Sequence, residues 1–109
     1  MLTEQVRIFQ PSGSLDATQS QAFRQEITQI LEDGTKIVLV DLKNVTFMDS
    51  SGLGALVLAF KTLRAANSKL VLCSINEQIR ILFELTGMDK VFEIFANQDE
   101  FKKSLGTVN

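Results

Sequence analysis

Residues 45–54 decide the fold and read Val-Thr-Phe-Met-Asp-Ser-Ser-Gly-Leu-Gly. Their apolar first half predicts a short strand, and the segment that follows predicts a helix because its apolar residues recur at spacings of three and four. The residues of that apolar helix face are Leu53, Leu56, Val57, Phe60 and Leu63. The polar and glycine residues between the two patterns therefore form a turn from a strand into a helix.

Along the sequence, predicted strands come before and after this strand-turn-helix unit. Residues 37–40 form a continuous apolar run, which is typical of a strand covered on both faces, so we expect it at the centre of the sheet. Residues 70–73 and 91–95 are two further strand candidates. Strands that alternate with helices from residue 36 to 95 imply parallel crossover connections.

Three more helices begin at side chains that accept hydrogen bonds from a helix N-terminus. The predicted N-caps are Asp16, Asn76 and Asn97, and Gly34 and Gly87 end the first two of these helices. Before them, alternation around residues 6–9 and the turn-forming residues 11–14 predict an N-terminal two-stranded element. The sequence therefore predicts an α/β fold with a mixed sheet.

Composition excludes several classes of function. The chain has 109 residues and a net charge of -2, which fits one domain. It has no His and one Cys, so it supplies neither a Ser-His-Asp or Cys-His pair nor a zinc site of its own, and we expect no catalytic group, metal or cofactor. The single Cys73 lies in an apolar run, which predicts a buried, inert thiol.

Charge and hydropathy also limit the partners. The eight aromatic residues are all Phe and the charge is balanced, so we expect no nucleic acid. No apolar run reaches the roughly 18 residues that span a bilayer, and residues 1–5 lack a signal pattern. We therefore expect no membrane association and a cytoplasmic location.

The turn at residues 49–54 is the candidate functional site. Its two serines lie between a strand end and a helix start, where open α/β sheets meet ligands and partners. Gly52 and Gly54 are expected to leave backbone amides open to an anionic group such as a phosphate. The alternative interpretation is that Asp49 or Ser50 simply caps the helix. The glycine spacing fits no phosphate loop, dinucleotide site or nucleophile elbow.

The same turn carries a family resemblance. Residues 45–54, together with the apolar strand that precedes them and with Gly13-Ser14-Leu15-Asp16, resemble the STAS domain of bacterial anti-sigma factor antagonists. The match covers nearly the whole chain. It implies a single STAS domain over residues 1–109, with its core at about 6–105, and about four helices packed mainly on one face of a mixed central sheet.

The resemblance also implies a function. It is that of a small cytoplasmic binding protein in a partner-switching pathway, phosphorylated on a serine by a kinase that is itself an anti-sigma factor of the histidine-kinase-like ATPase fold. A PP2C-type phosphatase would remove the phosphate. The family's phosphoacceptor maps onto Ser51, with Ser50 as the less favoured site. Asp49 and Ser50 map onto the supporting loop and Asp16 onto the adjoining acid, whereas Ser14 stands where the family often has an acidic residue.

The predicted partner surface extends from the turn onto the following helix. Leu58 is expected on its solvent side with Gly54, Ala55 and Thr62, where a partner would contact it. The alternative is that Leu58 is one of the isolated exposed leucines common in monomeric proteins. The predicted partner-binding residues are Asp16, Asp49, Ser50, Ser51, Gly52, Leu53, Gly54 and Leu58.

Two other functions remain open from the sequence. One is a STAS module that senses a nucleotide at the surface formed by Asp16 and residues 49–54. The other is a STAS subunit that is not phosphorylated and supports a transporter assembly. In each case, as in the first, we expect the domain itself to catalyse no reaction.

Overall fold

The computed structural model describes residues 6–106, which form six strands, four α-helices and one 3-10 helix. In chain order these are β1 (Val6–Phe9), β2 (Ser12–Leu15), α1 (Ala17–Glu32), β3 (Ile37–Asp41), β4 (Asn44–Met48), α2 (Ser50–Ala65), β5 (Lys69–Cys73), α3 (Glu77–Thr86), the 3-10 helix Met88–Lys90, β6 (Ile94–Phe95) and α4 (Gln98–Ser104). The α/β class and the four helices predicted from the sequence are confirmed.

The strands form a four-stranded sheet in the order β1-β3-β5-β6 and a two-stranded sheet of β2 and β4. All five residues of β3 are buried, as expected for a central strand. Within residues 6–106 every strand pair is parallel, whereas the sequence predicted a mixed sheet. The parallel arrangement is possible because a helix lies between the two members of each pair along the chain and returns the chain to the same end of the sheet.

The N-terminal region contains two strands, as predicted, but they do not form one two-stranded element, because β1 and β2 belong to different sheets. β1 pairs with β3 and β2 pairs with β4, and residues 10–11 carry the chain from one sheet to the other. Pro11 suits this corner because it has no backbone N–H to donate to a neighbouring strand. The short connection therefore bends the chain without forming a hairpin.

Most of the core lies between the larger sheet and three helices. β3 and β5 contribute Val38, Val40, Leu70 and Leu72 to this layer, and α1, α2 and α3 cover them with Phe23, Ile27, Leu56, Leu63, Ile79 and Phe83. On the opposite face, Ile37, Leu39, Val71 and Cys73 are covered by Phe101 of α4. Three of the four helices thus share one face, in agreement with the expected architecture.

The strand predicted at residues 91–95 is shorter than expected. It is limited to Ile94–Phe95, which pair with β5. The backbone N–H groups of Val91 and Phe92 both donate to the carbonyl of Met88, so they are used in a turn and not in a sheet ladder. Local turn bonds therefore displace the first half of the predicted strand.

A buried carboxylate joins three parts of the fold. Asp41, at the end of β3, accepts hydrogen bonds from the side-chain amides of Gln10 (3.0 Å) and Gln98 (2.7 Å) and from the backbone N–H of Lys43 (2.9 Å). Asp41 is 2% exposed, and these donors offset the cost of burying its charge. The Asp41 carboxylate therefore links the corner after β1 and the start of α4 to the central strand.

None of the helices within residues 6–106 combines the length and the hydropathy that crossing a bilayer requires.

Candidate partner-binding site

Asp49 is the N-cap of α2. Its backbone is extended, and its side chain accepts a hydrogen bond from the backbone N–H of Gly52 at 3.0 Å. The interpretation that Asp49 caps the helix is therefore confirmed, and Ser50 is not the cap. Ser50 and Ser51 are the first two residues of α2 and both are exposed. The cap uses the carboxylate and leaves both serines on the surface.

Asp16 caps α1 in the same manner. Its Oδ1 accepts from the Thr18 hydroxyl at 2.6 Å and from the backbone N–H groups of Thr18 and Gln19. These bonds, above all the one from the Thr18 hydroxyl, hold the pKa of Asp16 below its ordinary value because they stabilise the charged form. Asp16 therefore places a second negative charge beside the turn.

Ser20 connects the two helix starts. Its hydroxyl lies 2.8 Å from the backbone oxygen of Asp16 and 3.3 Å from that of Ser51. The first turns of α1 and α2 consequently lie side by side, which brings Asp16 and the Asp49–Ser51 turn to one surface. Ser20 was not predicted from the sequence, because no local pattern marks a contact between residues 31 positions apart.

Gly52 is required by a close approach of two backbones. A Cβ at this position would lie 2.0 Å from the carbonyl oxygen of Leu15 and 2.7 Å from its carbonyl carbon. Its N–H is already bonded to Asp49, so Gly52 does not offer the open amide that the sequence predicted. Gly52 thus fixes the end of β2 against the start of α2, from inside the site.

The other residues of the turn divide between interior and surface. Leu53 is buried in the main core, so with Gly52 it supports the site from below. Gly54 is exposed, and a Cβ there would meet nothing within 4 Å. The surface that a partner can contact is therefore formed by Ser50, Ser51 and Gly54, with Asp16 and Asp49 at its edge.

A shallow groove between α1 and α2 continues from this surface. At the end nearest the turn it is lined by Ser20 and Arg24 of α1 and by Ser51, Gly54 and Leu58 of α2. Leu58 is 44% exposed, as predicted. Ser51 lines this groove, and Ser50 is not among the lining residues.

The sequence placed Ala55 on the solvent side of α2, and this is wrong. Ala55 is 5% exposed and Ala59 is 3% exposed, because α1 packs along this side of the helix. Small side chains at these two positions let α1 approach closely, and Leu58 lies at the border of the contact. The solvent-facing part of α2 is therefore narrower than its hydropathy pattern predicts.

The strand that leads into the turn is held along its outer edge by α3. The side-chain amide of Gln78 donates to the carbonyl of Met48 at 2.8 Å and accepts from its N–H at 2.9 Å. Asn76, which caps α3, also donates to the carbonyls of Val45 and Thr46. Gln78, which the sequence analysis did not single out, thus replaces a neighbouring strand immediately before the turn.

Two further residues flank the turn on the side of the smaller sheet. Phe47 is 47% exposed, two positions before Asp49, and Ser14 stands opposite it in the β2–β4 register. Ser14 is exposed and uncharged, so the rim at this point lacks an acidic group. The site therefore has the apolar ring of Phe47 on one flank, beside the exposed hydroxyls of Ser50 and Ser51.

The polar groups of the site are two serine hydroxyls and two carboxylates. Its two serine hydroxyls are accessible, while the nearest carboxylates are occupied as helix caps. In the part of the chain from residue 6 to 106, no group of three His, Cys, Asp or Glu side chains is arranged to hold a metal ion. An exposed hydroxyl at a helix N-terminus can accept a phosphoryl group, because the helix start tolerates negative charge.

Comparison with protein families and curated proteins agrees with this architecture. The sequence model of the STAS domain family matches residues 2–101. The anti-sigma-B factor antagonist of Listeria monocytogenes is 40% identical over 95 residues, covering 84% of this chain and 80% of that protein.

Solved structures of lower identity share the fold. An anti-sigma factor antagonist from Mycobacterium paratuberculosis superposes with a TM-score of 0.82 at 24% identity, covering 95% of this chain and 88% of that one. The anti-sigma factor antagonist SpoIIAA in its unphosphorylated form gives a TM-score of 0.72 at 20% identity, covering 99% and 96%. SpoIIAA of Bacillus in its phosphorylated form gives 0.70 at 20% identity, covering 95% of each chain.

Proposed function

The chain belongs to the STAS domain family, among its anti-sigma factor antagonists, and from this premise we propose that it is a binding module controlled by phosphorylation of Ser51. In the unmodified form it docks on an anti-sigma factor that is also a serine kinase of the histidine-kinase-like ATPase fold. This docking sequesters the anti-sigma factor and frees its sigma factor. The proposed partners place this action in the cytoplasm.

The choice of Ser51 over Ser50 rests on one observation. Ser51 is the exposed serine of the turn that also lines the groove between α1 and α2, next to Leu58. A partner that covers this groove reaches the Ser51 hydroxyl, and Ser50 lies outside the groove. The existence of SpoIIAA in unphosphorylated and phosphorylated forms supports a switch of this kind in a protein of the same fold.

The proposed reaction is carried out by the partners. The Ser51 oxygen attacks the γ-phosphorus of ATP held by the kinase, the bond to ADP breaks, and the hydroxyl proton passes to a base of the kinase. A PP2C-type phosphatase reverses the modification by hydrolysis, which releases inorganic phosphate and restores the hydroxyl.

The effect of the phosphate on binding follows from its charge. Phosphorylation adds about 1.5 to 2 negative charges, and the helix start offsets this within the domain by about 0.3 to 1 kcal/mol, so the fold survives. A partner surface shaped for a neutral serine must instead desolvate a dianion beside Asp16 and Asp49. A penalty of about 3 kcal/mol corresponds to about a hundredfold weaker binding, so phosphorylation releases the partner.

Phosphosite mapping tests the modified residue. The protein is incubated with ATP and lysate of its native cells, and its peptides are analysed by mass spectrometry beside the Ser51→Ala and Ser50→Ala variants. We expect phosphate on Ser51 in the wild type and in Ser50→Ala, and none in Ser51→Ala. Phosphate on Ser50 alone, or on neither serine while the lysate kinase is active, would contradict the proposal.

A further inference from the structure

Arg24 of α1 differs from the other three arginines of the chain. Arg7 pairs with Asp33, Arg80 pairs with Glu77 and Glu84, and the guanidinium of Arg64 lies over the ring of Phe60. Among residues 6–106 the Arg24 guanidinium has no ion pair, hydrogen bond or ring contact; the Thr28 hydroxyl bonds to the backbone carbonyl of Arg24 and not to its side chain. An exposed cation thus lies unpaired on the helix that borders the site.

The position of Arg24 directs this cation toward the turn. It lies four residues after Ser20, hence on the same side of α1, and Ser20 contacts the backbone of Ser51. Side chains of an α-helix lean toward its N-terminus, which for Arg24 is the direction of Ser20 and Ser51. Arg24 and Ser51 accordingly line the same end of the groove.

The charges around this end of the groove are otherwise negative or absent. Arg24 is the one charged residue among the described residues that line it. Asp16 and Asp49 stand at the two helix starts, and among residues 6–106 neither forms an ion pair with Arg24. The acidic residue Glu32 also lines the groove, but it lies about two turns beyond Arg24 along α1.

We propose that Arg24 pairs with the phosphate on Ser51 and closes the phosphorylated site across the groove. This inference rests on the proposed function, because it takes Ser51 as the modified residue. The planar guanidinium fits phosphate oxygens in a bidentate manner. The ion pair covers Gly54 and the flank of Leu58, so a partner would have to break it before docking.

Titration of the phosphate tests the pairing directly. Phosphoserine is installed at position 51 during translation, without any kinase, and its second ionisation is followed by ³¹P NMR across pH 4–8. The ordinary second pKa is about 6, and pairing with a cation lowers it. We expect Arg24→Gln to raise this pKa by about half a unit to one unit, a change of about threefold to tenfold in proton affinity. Arg24→Lys keeps the charge but not the fork, so we expect an intermediate pKa.

Two controls separate pairing from a general loss of charge. Lys61→Gln removes one positive charge from α2 about 15 Å along the helix from Ser51, and we expect the pKa to stay at the wild-type value. Phosphoserine installed at position 50 lies outside the groove, and we expect Arg24→Gln to leave its pKa unchanged. Equal shifts in Arg24→Gln and Lys61→Gln, or no shift in either, would overturn the proposal.

The result of the phosphate titration does not depend on whether a kinase modifies Ser51. Failure of lysate to phosphorylate Ser51 contradicts the proposed function, and the titration of the installed phosphate still decides the pairing. Conversely, Ser51 phosphorylation by lysate together with an unchanged pKa in Arg24→Gln keeps the proposed function and overturns the role of Arg24.

Discussion

Gly52 is the residue on which the geometry of the site depends most closely. Because its missing Cβ would lie 2.0 Å from a backbone oxygen, Gly52→Ala must move β2 away from α2. We expect this variant to lower the free energy of unfolding by about 1–3 kcal/mol, the usual cost of overpacking. Urea denaturation followed by circular dichroism measures the change.

Gly54→Ala is the matched control in the same helical turn. A Cβ at Gly54 meets nothing within 4 Å, and alanine favours the helix, so we expect a gain of about 0.5–1 kcal/mol. Equal stability of the two alanine variants would show that the contact between Gly52 and Leu15 does not constrain the turn.

Asp16 gives the site a pH dependence. Its pKa is lower in the folded state than the ordinary value of about 4, so its cap contributes stability above that pH and loses it as the pH falls through the lower folded pKa. Asp16→Asn can still cap α1 but does not titrate. We therefore expect urea midpoints measured between pH 6 and pH 2.5 to fall less steeply for Asp16→Asn than for the wild type. Parallel curves would contradict this role.

At the scale of elements, Gln78 is expected to hold the strand that leads into the turn. Gln78→Ala removes both hydrogen bonds to the Met48 backbone, and the loss of partners for partly buried groups costs about 1–3 kcal/mol. We expect faster amide hydrogen exchange at Met48. Gln29→Ala, on the exposed side of α1, is the control and should leave this amide protected. Unchanged protection in Gln78→Ala would contradict the edge role of α3.

Helix α2 is expected to provide the apolar part of the docking surface. Leu58→Asp places a charge where a partner covers the groove, and we expect at least about tenfold weaker binding to the cognate anti-sigma factor. Its stability should change little because Leu58 is half exposed. Leu85→Asp on α3, where Leu85 is 80% exposed, is the matched control and should bind normally. Equal affinities of both variants would remove Leu58 from the interface.

Elements whose signals are local could be predicted from the sequence. The helix caps at Asp16, Asn76 and Asn97 and the buried strand at residues 37–40 follow from side-chain chemistry within a few residues. The separation of β1 from β2 and the burial of Ala55 depend on contacts with distant elements, which no local pattern encodes. The turn has a local signal and could be predicted from the sequence. Ser20, Arg24 and Gln78 could not be predicted, because their roles depend on contacts with distant elements.

At the scale of the whole molecule, the buried sheet and the exposed candidate site lie in different parts of the fold. Parallel strands and the Asp41 junction form the interior, and the starts of α1 and α2 present the serines at one end. We expect the proposed phosphorylation to leave the sheet unchanged, because Ser51 and Arg24 are both exposed. The proposed switch is therefore a change in surface charge on a constant fold.

Calorimetric titration measures directly whether a phosphate on Ser51 weakens docking. The cognate anti-sigma factor is titrated with the unmodified protein and with protein carrying phosphoserine installed at position 51, and the circular dichroism spectra of both forms are compared. We predict identical spectra and about a hundredfold weaker binding of the phosphorylated form, a difference of about 3 kcal/mol. Equal affinities of the two forms, or weaker binding accompanied by loss of structure, would contradict the account.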